Sequence, residues 1–188
     1  LSYLANITSL VPKIKFNSNE LLIIDYIENN NIKDKNYQIV LAEEILKIHK
    51  NTNEKYGFKF DAQIGALKQI NEFTNNWVIF FRDKRLNSIF ELINNDNPMA
   101  SHINQRVEKL LKNIHNFIPT NPVPRLLHGD LWAGNILYKN GKLVGLIDPG
   151  IFFGHNELEI AYLTWFNFVN EKFIKIYSNI IPIEKDYF

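Results

Sequence analysis

Two stretches decide how this chain is read: "HGDLWAGN", His128–Asn135, and "IDPG", Ile147–Gly150. The first packs a histidine, a carboxylate, an indole, two glycines and an amide between apolar segments. Between the two stretches runs "ILYKNGKLVGLID", an alternating apolar pattern folded about Asn140-Gly141. An Asn-Gly pair supplies the positive-φ residues of a type I′ turn, so the stretch predicts a β-hairpin. A hairpin returns its second end beside its first. Asn135 and Asp148 are therefore expected at one edge, with Asp130 one loop away.

That grouping has a chemistry. Two oxygen ligands at one edge suit a hard cation such as Mg²⁺, which takes few protein ligands and completes its shell with substrate phosphates. Asp130 stands where it can accept a proton from a hydroxyl. A positioned base with a carboxylate and an amide for metal are the parts of a phosphoryl-transfer site. The order D-x-x-x-x-N followed by D-x-G also matches the kinase catalytic pattern, here written "HGD" and "IDPG". Singly, these three residues read as ordinary turn formers, since Asp and Asn favour turns. The site reading rests on their order and spacing together.

Bulk properties bound the alternatives. The chain has 188 residues, 46% apolar and 22% charged, enough for one substantial domain or one large and one partial one. A net charge of +1 provides no general field for nucleic acid or anionic membranes. The absence of cysteine excludes disulfides, thiolate zinc sites and thiol catalysis, and it fits a cytoplasmic setting. No apolar run reaches the roughly 18 residues of a membrane span, and the start, "LSYLANITSLVPKIKF", lacks signal-peptide character. The first residue is Leu1, not methionine, which raises the expectation of a fragment. Asn-rich stretches such as "IENNNIKDKN" read as solvated loops.

The periodicities give a mixed layout. "VPKIKF" and "ELLIIDYI" predict two strands joined by a turn at "NSNE". Tyr37, Leu41, Ile45 and Ile48 share a helical stripe that ends near His49, where a cation would meet the negative end of the helix dipole. "YGFKFDAQIGA" predicts a loop with some extended structure, and Phe73–Ile93 a helix carrying Trp77, Phe81, Arg82 and Arg85. Ile103, Val107, Leu110, Leu111, Ile114 and Phe117 form the clearest helical stripe of all. The prolines of "IPTNPVP" end it, "RLL" predicts a short strand, and "NELEIAYLTWFNFVNEKFIKIYSNI" predicts helix. Strands, helices, a polar loop with a hairpin, then helices make an α+β protein rather than a βαβ sheet.

The segments "LLHGDLWAGNIL", "LIDPGIFFGHNELEIA" and "NEFTNNWVIFFRDKRL" resemble the fructosamine/ketosamine kinase family, a branch of the aminoglycoside-phosphotransferase-like, protein-kinase-like fold. The resemblance covers nearly the whole chain. It implies a two-lobe architecture: residues 1–28 as part of a small β lobe with its hinge, and 29–188 as a helical lobe carrying the catalytic and metal loops. Asp130 would be the base facing the sugar hydroxyl, and Asn135 and Asp148 would hold Mg²⁺ against ATP. The hinge backbone at Asp25 and Ile27 would bond adenine. His128 would brace the catalytic loop, and Glu159 would support the site from a helix start. Trp132, His155, Trp77 and Arg85 would contact substrate. The implied partners are ATP and a small-molecule or protein-bound ketosamine, phosphorylated on its 3-hydroxyl in protein deglycation repair. A glycine-rich phosphate loop and a strand lysine with its helix glutamate lie upstream of the hinge in this fold. No glycine precedes Gly57, so the chain is expected to lack the start of its small lobe, and its C-terminal tail to be cut short.

Each of these residues also has a plainer reading. His128 suits a hydrogen-bonded structural histidine, and Glu157 and Glu159 sit where a helix dipole favours acids. Trp77, Phe81 and Trp132 read equally as core aromatics, and Arg82 and Arg85 as a solvated helix face. Other functions remain open: another small-molecule phosphotransferase of the aminoglycoside or choline type, a truncated non-catalytic kinase-like module, or, more remotely, a metal hydrolase using His128, Asp130 and His155. The sequence does not settle oligomeric state.

Overall fold

A turn built on Ser18 separates the first two strands. Its hydroxyl accepts from the backbone N–H groups of Glu20 (3.3 Å) and Leu21 (3.0 Å). β1 (Ile14–Asn17) and β2 (Leu22–Ile24) pair antiparallel, with Asn17 opposite Leu22. The structure, a computed structural model, describes residues 1–165 and 167–184.

After β2 the chain runs extended past Asp25 and Ile27 and is tied back by Asn30 and Asn31, whose N–H groups donate to the Tyr138 carbonyl (3.0 and 2.8 Å). An Asx turn, with Asp34 Oδ1 accepting from Asn36 N–H at 2.7 Å, then starts α1 (Tyr37–His49). This helix buries Leu41, Ala42, Ile45 and Ile48, the face predicted from its period. The "YGFKFDAQIGA" loop holds more order than predicted. Tyr56 and Gly57 bridge to Thr74 and Phe153, and a second hairpin, β3 (Ala62–Ile64) with β4 (Leu67–Gln69), follows.

The next helix begins at Trp77 rather than Phe73, because Asn76 adopts an extended conformation and caps the Ile79 N–H at 2.9 Å. α2 (Trp77–Phe81) runs through a π-helical turn, Arg82–Asn87, into α3 (Ser88–Asp96). The wider turn rotates Arg85 inward, so this arginine is buried rather than solvated. α4 (Ser101–Asn113) is helical as predicted, but its stripe is not a core face. Leu111 and Ile114 are buried while Ile103, Leu110 and Phe117 are exposed. Periodicity reports an amphipathic face, not what covers it.

β5 (Arg125–Leu127) pairs antiparallel with β8 (Phe152–Gly154). Between them, β6 (Ile136–Lys139) and β7 (Lys142–Leu146) form the expected two-residue hairpin, with φ of 49° at Asn140 and 86° at Gly141. The predicted last helix is two: α5 (Asn156–Trp165) and α6 (Glu171–Ser178). Phe166 lies outside the described residues; beyond it, Asn167 takes φ of 52°, and Asn170 opens α6 by accepting from Lys172 N–H at 3.0 Å. α1, the β5–β8 pair, β7, α5 and α6 enclose one hydrophobic core, including Leu126, Leu127, Leu146, Ile160, Phe173 and Tyr177. The catalytic-type loop is suspended between that core and β6.

Candidate active site

The loop after β5 turns sharply at Gly129, whose φ of +87° is open to glycine and costly for any other residue. A Cβ at Gly129 would also overlap the Gly150 carbonyl, so the loop and the "DPG" segment are in backbone contact. Past the turn, Asn135 N–H donates to Trp132 O at 2.9 Å, and Asn135 Nδ2 donates to both the carbonyl (2.8 Å) and Oδ2 (3.1 Å) of Asp130. Ile147 N–H donates to Asn135 O at 3.0 Å, which closes the base of the hairpin and brings Asp148 beside Asn135. Asp148 itself has φ of 52°, a strained conformation of the kind that collects at functional sites.

Asp130, Asn135, Asp148 and Trp132 border one open cavity of about 1000 Å³. Burial raises the Asp130 carboxyl above its ordinary value; the Asn135 hydrogen bond opposes this, and the charges of Asp148 and Glu159 reinforce it. A carboxylate lifted in this way is the better proton acceptor. Asn135 spends its amide nitrogen on Asp130, which leaves Oδ1 as the atom it offers to the cavity beside the Asp148 carboxylate. An amide oxygen and a carboxylate are the donor set of a hard divalent cation, so these residues fit Mg²⁺. Trp132 is 45% exposed, and its ring lies over Gly134, where a Cβ would collide with the indole.

Behind the loop lies a buried anchor. Glu159, near the start of α5, accepts from the backbone N–H groups of His128 (Oε2, 3.1 Å) and Gly129 (Oε1, 2.7 Å). His49, fully buried, contacts Glu159 Oε2 through Nε2 at 2.9 Å and the Tyr177 hydroxyl through Nδ1 at 2.6 Å. A carboxylate only accepts, so His49 Nε2 carries the proton of its bond. Burial alone would raise the Glu159 carboxyl; the hydrogen bond and charge of His49, the charge of His128 and the Gly129 N–H outweigh it and hold the group below its ordinary value. His128 is buried, and that burial lowers its pKa against the opposing pull of Glu159, the Ile147 backbone and Asp148. The Asp130 backbone N–H donates to the His128 Nδ1 at 3.4 Å.

The remaining sequence candidates lie elsewhere. Trp77 is 2% exposed and packs on Tyr56, Phe80, Phe81 and His155. Trp77 and His155 border a separate cavity of about 440 Å³. Burial, helped by the charge of Arg125, pushes the His155 pKa down to about 4. Arg85 donates to Ile70 O (2.7 Å), Lys84 O (3.0 Å) and Asn71 Oδ1 (2.6 Å), and its guanidinium lies against Phe80 and Phe152. It edges a third cavity of about 300 Å³, together with Gly129, Glu159 and Tyr162. Just after β2, Asp25 N–H donates to Lys13 O at 2.9 Å and its carboxylate pairs with Lys15 at 2.9 Å. The Ile27 side chain packs where a Cβ on Gly145 would sit.

Sequence reasoning missed two contributors. His49 was read as a helix cap, whereas it is the inner end of the Glu159 anchor; its place on the buried stripe beside Ile45 and Ile48 was the available signal. The segment that predicts a loop with some extended structure carries the β3–β4 hairpin, and Lys59, Phe60, Gln63 and Ile64 of it border the main cavity. Nothing in their local pattern pointed there. No helix among the described residues is long and apolar enough to cross a membrane.

The fructosamine kinase family model matches residues 6–188. A "probable ketoamine kinase" of Enterococcus faecium is 32% identical over 168 residues, covering 87% of this chain and 58% of that protein. A chloroplastic protein-ribulosamine 3-kinase of Arabidopsis thaliana is 32% identical over 153 residues, covering 80% of this chain and 46% of that one. The chain thus spans about half the length of these relatives. A crystal structure assigned as a fructosamine-3-kinase from Haemophilus somnus superposes with a TM-score of 0.84 at 26% identity, over 100% of this chain and 64% of that one. The kinase-like α+β fold that the family resemblance implies is the fold observed.

Proposed function

The chain belongs to the fructosamine kinase family, and from that membership we propose that it carries the catalytic machinery of an ATP-dependent kinase acting on a hydroxyl of a sugar–amine. Residues 1–28 are, in this reading, part of the nucleotide-side lobe with its hinge, and 29–188 the helical lobe. The observation that carries the reading is the place of Asn135: its amide nitrogen donates to Asp130, which leaves its oxygen available, and it shares one cavity wall with Asp148.

The acceptor hydroxyl lies against Asp130, which takes its proton as the oxygen forms its new bond to the γ-phosphorus. The bond from that phosphorus to the β-phosphate oxygen breaks, and ADP leaves with the electron pair. Asn135 and Asp148 would hold Mg²⁺, which when bound would neutralise charge on the phosphates. Because Asp25 has spent its N–H on Lys13, its carbonyl is what it offers to adenine, with the Ile27 N–H as the complementary donor. Trp132 forms the apolar side of the sugar pocket. The family relationship supports the 3-hydroxyl as acceptor and a role in deglycation of proteins or small adducts.

Mass-spectrometric detection of phosphate transfer from ATP to a fructosyl-amine tests the proposal, with Asp130→Ala as the paired variant. The expected result is a phosphorylated product that falls by roughly a hundred-fold or more in the variant. Undiminished product from Asp130→Ala would remove Asp130 as the base, and phosphorylation of other alcohols but of no fructosyl-amine or ribulosyl-amine would remove the acceptor class.

A further inference from the structure

The side chains bordering the main cavity include two carboxyl groups, Asp130 and Asp148, and a single amine, Lys59. The carboxyls have roles in the proposed reaction; the amine has none. Two lysines further along the chain are paired, Lys68 with Asp61 at 2.9 Å and Lys84 with Glu72 at 2.5 Å. Among the described residues no acidic group pairs with Lys59.

The root of Lys59 is fixed although its head is free. Gly57 N–H donates to Phe153 O at 2.9 Å and Phe58 N–H to Asn71 O at 2.8 Å, and the Phe58 side chain is buried. On the other flank, Asp61 Oδ1 accepts from Asn71 N–H at 2.8 Å. The ammonium group lies 5.7 Å from the Phe60 ring centroid. A cation on a fixed root loses less entropy on binding an anion than one on a loose loop. Its charge also needs a reason. The nitrogen of a sugar–amine is cationic, and Asp130 and Asp148 suffice to attract it. A lysine on the same wall opposes that attraction unless the acceptor brings a negative group to meet it.

Resting on the sugar–amine kinase reading above, we infer that Lys59 is a specificity residue that recognises an anionic group on the acceptor. That group is a carboxylate on the amine side, as in an amino-acid adduct, or a phosphate on the sugar side. Lys59 binds it at the β3–β4 wall while the hydroxyl faces Asp130.

Calorimetric titration of the intact chain with three probes tests this: N-fructosyl-glycine, the neutral isostere N-fructosyl-glycinamide, and the 6-phosphate of the glycinamide adduct. An anionic probe is expected to bind roughly five- to ten-fold tighter than the neutral one, the scale of one ordinary solvent-exposed hydrogen bond. The advantage should vanish in Lys59→Gln and persist in Lys59→Arg, and whichever anionic probe carries it locates the charge. Equal binding of all three overturns the inference and leaves the kinase reading standing. Binding of none removes the sugar–amine reading itself. If Lys59→Gln weakens Mg·ADP binding and leaves probe selectivity unchanged, Lys59 belongs to the nucleotide phosphates and the inference fails.

Discussion

His49 and Glu159, 110 positions apart in sequence, meet at 2.9 Å with both side chains sealed from solvent. Through Glu159 this contact reaches the backbone of the catalytic loop at His128 and Gly129. The carboxylate is the only partner that could accept from both amides and from the imidazole at once, since an amide side chain supplies a single acceptor oxygen. Glu159→Gln should therefore cost about 1–3 kcal/mol, and Glu159→Ala about 3–5 kcal/mol because it strands a buried imidazole and two backbone donors. Urea unfolding measures the loss. Hydrogen exchange supplies the local signature: the Gly129 amide should exchange faster in both variants, while amides of α4 stay unchanged. Uniform acceleration across the chain would mean that Glu159 serves overall stability and not the loop.

His155 supplies one separable part of the chain's sensitivity to acid. Its folded pKa, about 4, lies below the ordinary 6.5 because burial and the charge of Arg125 disfavour the imidazolium. In the unfolded chain the ring takes up its proton first as pH falls, so stability declines between pH 6.5 and about 4. The gap between those values corresponds to about 3 kcal/mol at most. His155→Gln should remove this component, leaving a flatter stability–pH curve in that window while losses at lower pH remain. Parallel curves for the two proteins, followed by urea midpoints at fixed ionic strength, would show that His155 is not held neutral.

Two glycines with positive φ separate strain from collision. Gly129 (φ +87°) faces the Gly150 backbone where its Cβ would go, whereas Gly65 (φ +56°) faces open space at the hairpin tip. Gly65→Ala should cost about 1 kcal/mol, the left-handed penalty alone. Gly129→Ala adds an overlap between two backbones that hold the catalytic and metal loops together, and should cost several kcal/mol or prevent folding. Thermal unfolding of the two variants side by side checks the ranking.

The local chemistry of the site was legible because it is written in contiguous residues. Asn140-Gly141 forces the hairpin, and the hairpin alone brings Asn135 to Asp148. What the sequence did not reveal depends on contacts between distant segments. Strand β5 finds its partner 25 residues later in β8, His49 finds Glu159 across the core, and Lys59 reaches the cavity only because Gly57 bridges to Phe153. The inward turn of Arg85 was hidden for another reason. By residue type an arginine on a helix reads as solvated, and the π-helical turn that carries Arg85 departs from the 3.6-residue period by which its direction could be read. The stripe on α4 shows the opposite error, a strong period over a face that is largely exposed.

The proposed division of labour between base and metal ligands can be tested on Mg²⁺ alone. Asn135 Nδ2 is bound to the Asp130 carbonyl and Oδ2, so rotation of the amide would cost two hydrogen bonds and turn a donor towards the cation. The oxygen is therefore preorganised beside Asp148, whose left-handed backbone is held by the hairpin end and the loop behind it. Asn135→Ala and Asp148→Asn each remove one ligand oxygen or its charge, and each should raise the Mg²⁺ concentration for half-maximal ADP binding at least about ten-fold. Asp130→Asn should leave that concentration nearly unchanged, because Asp130 faces the acceptor and not the cation. A competition assay with Mn²⁺, read by its electron paramagnetic resonance signal, follows the ion directly and does not require turnover. If Asp130→Asn releases Mn²⁺ as effectively as Asp148→Asn, Asp130 is a metal ligand, and the proton acceptor must be sought elsewhere on the cavity wall.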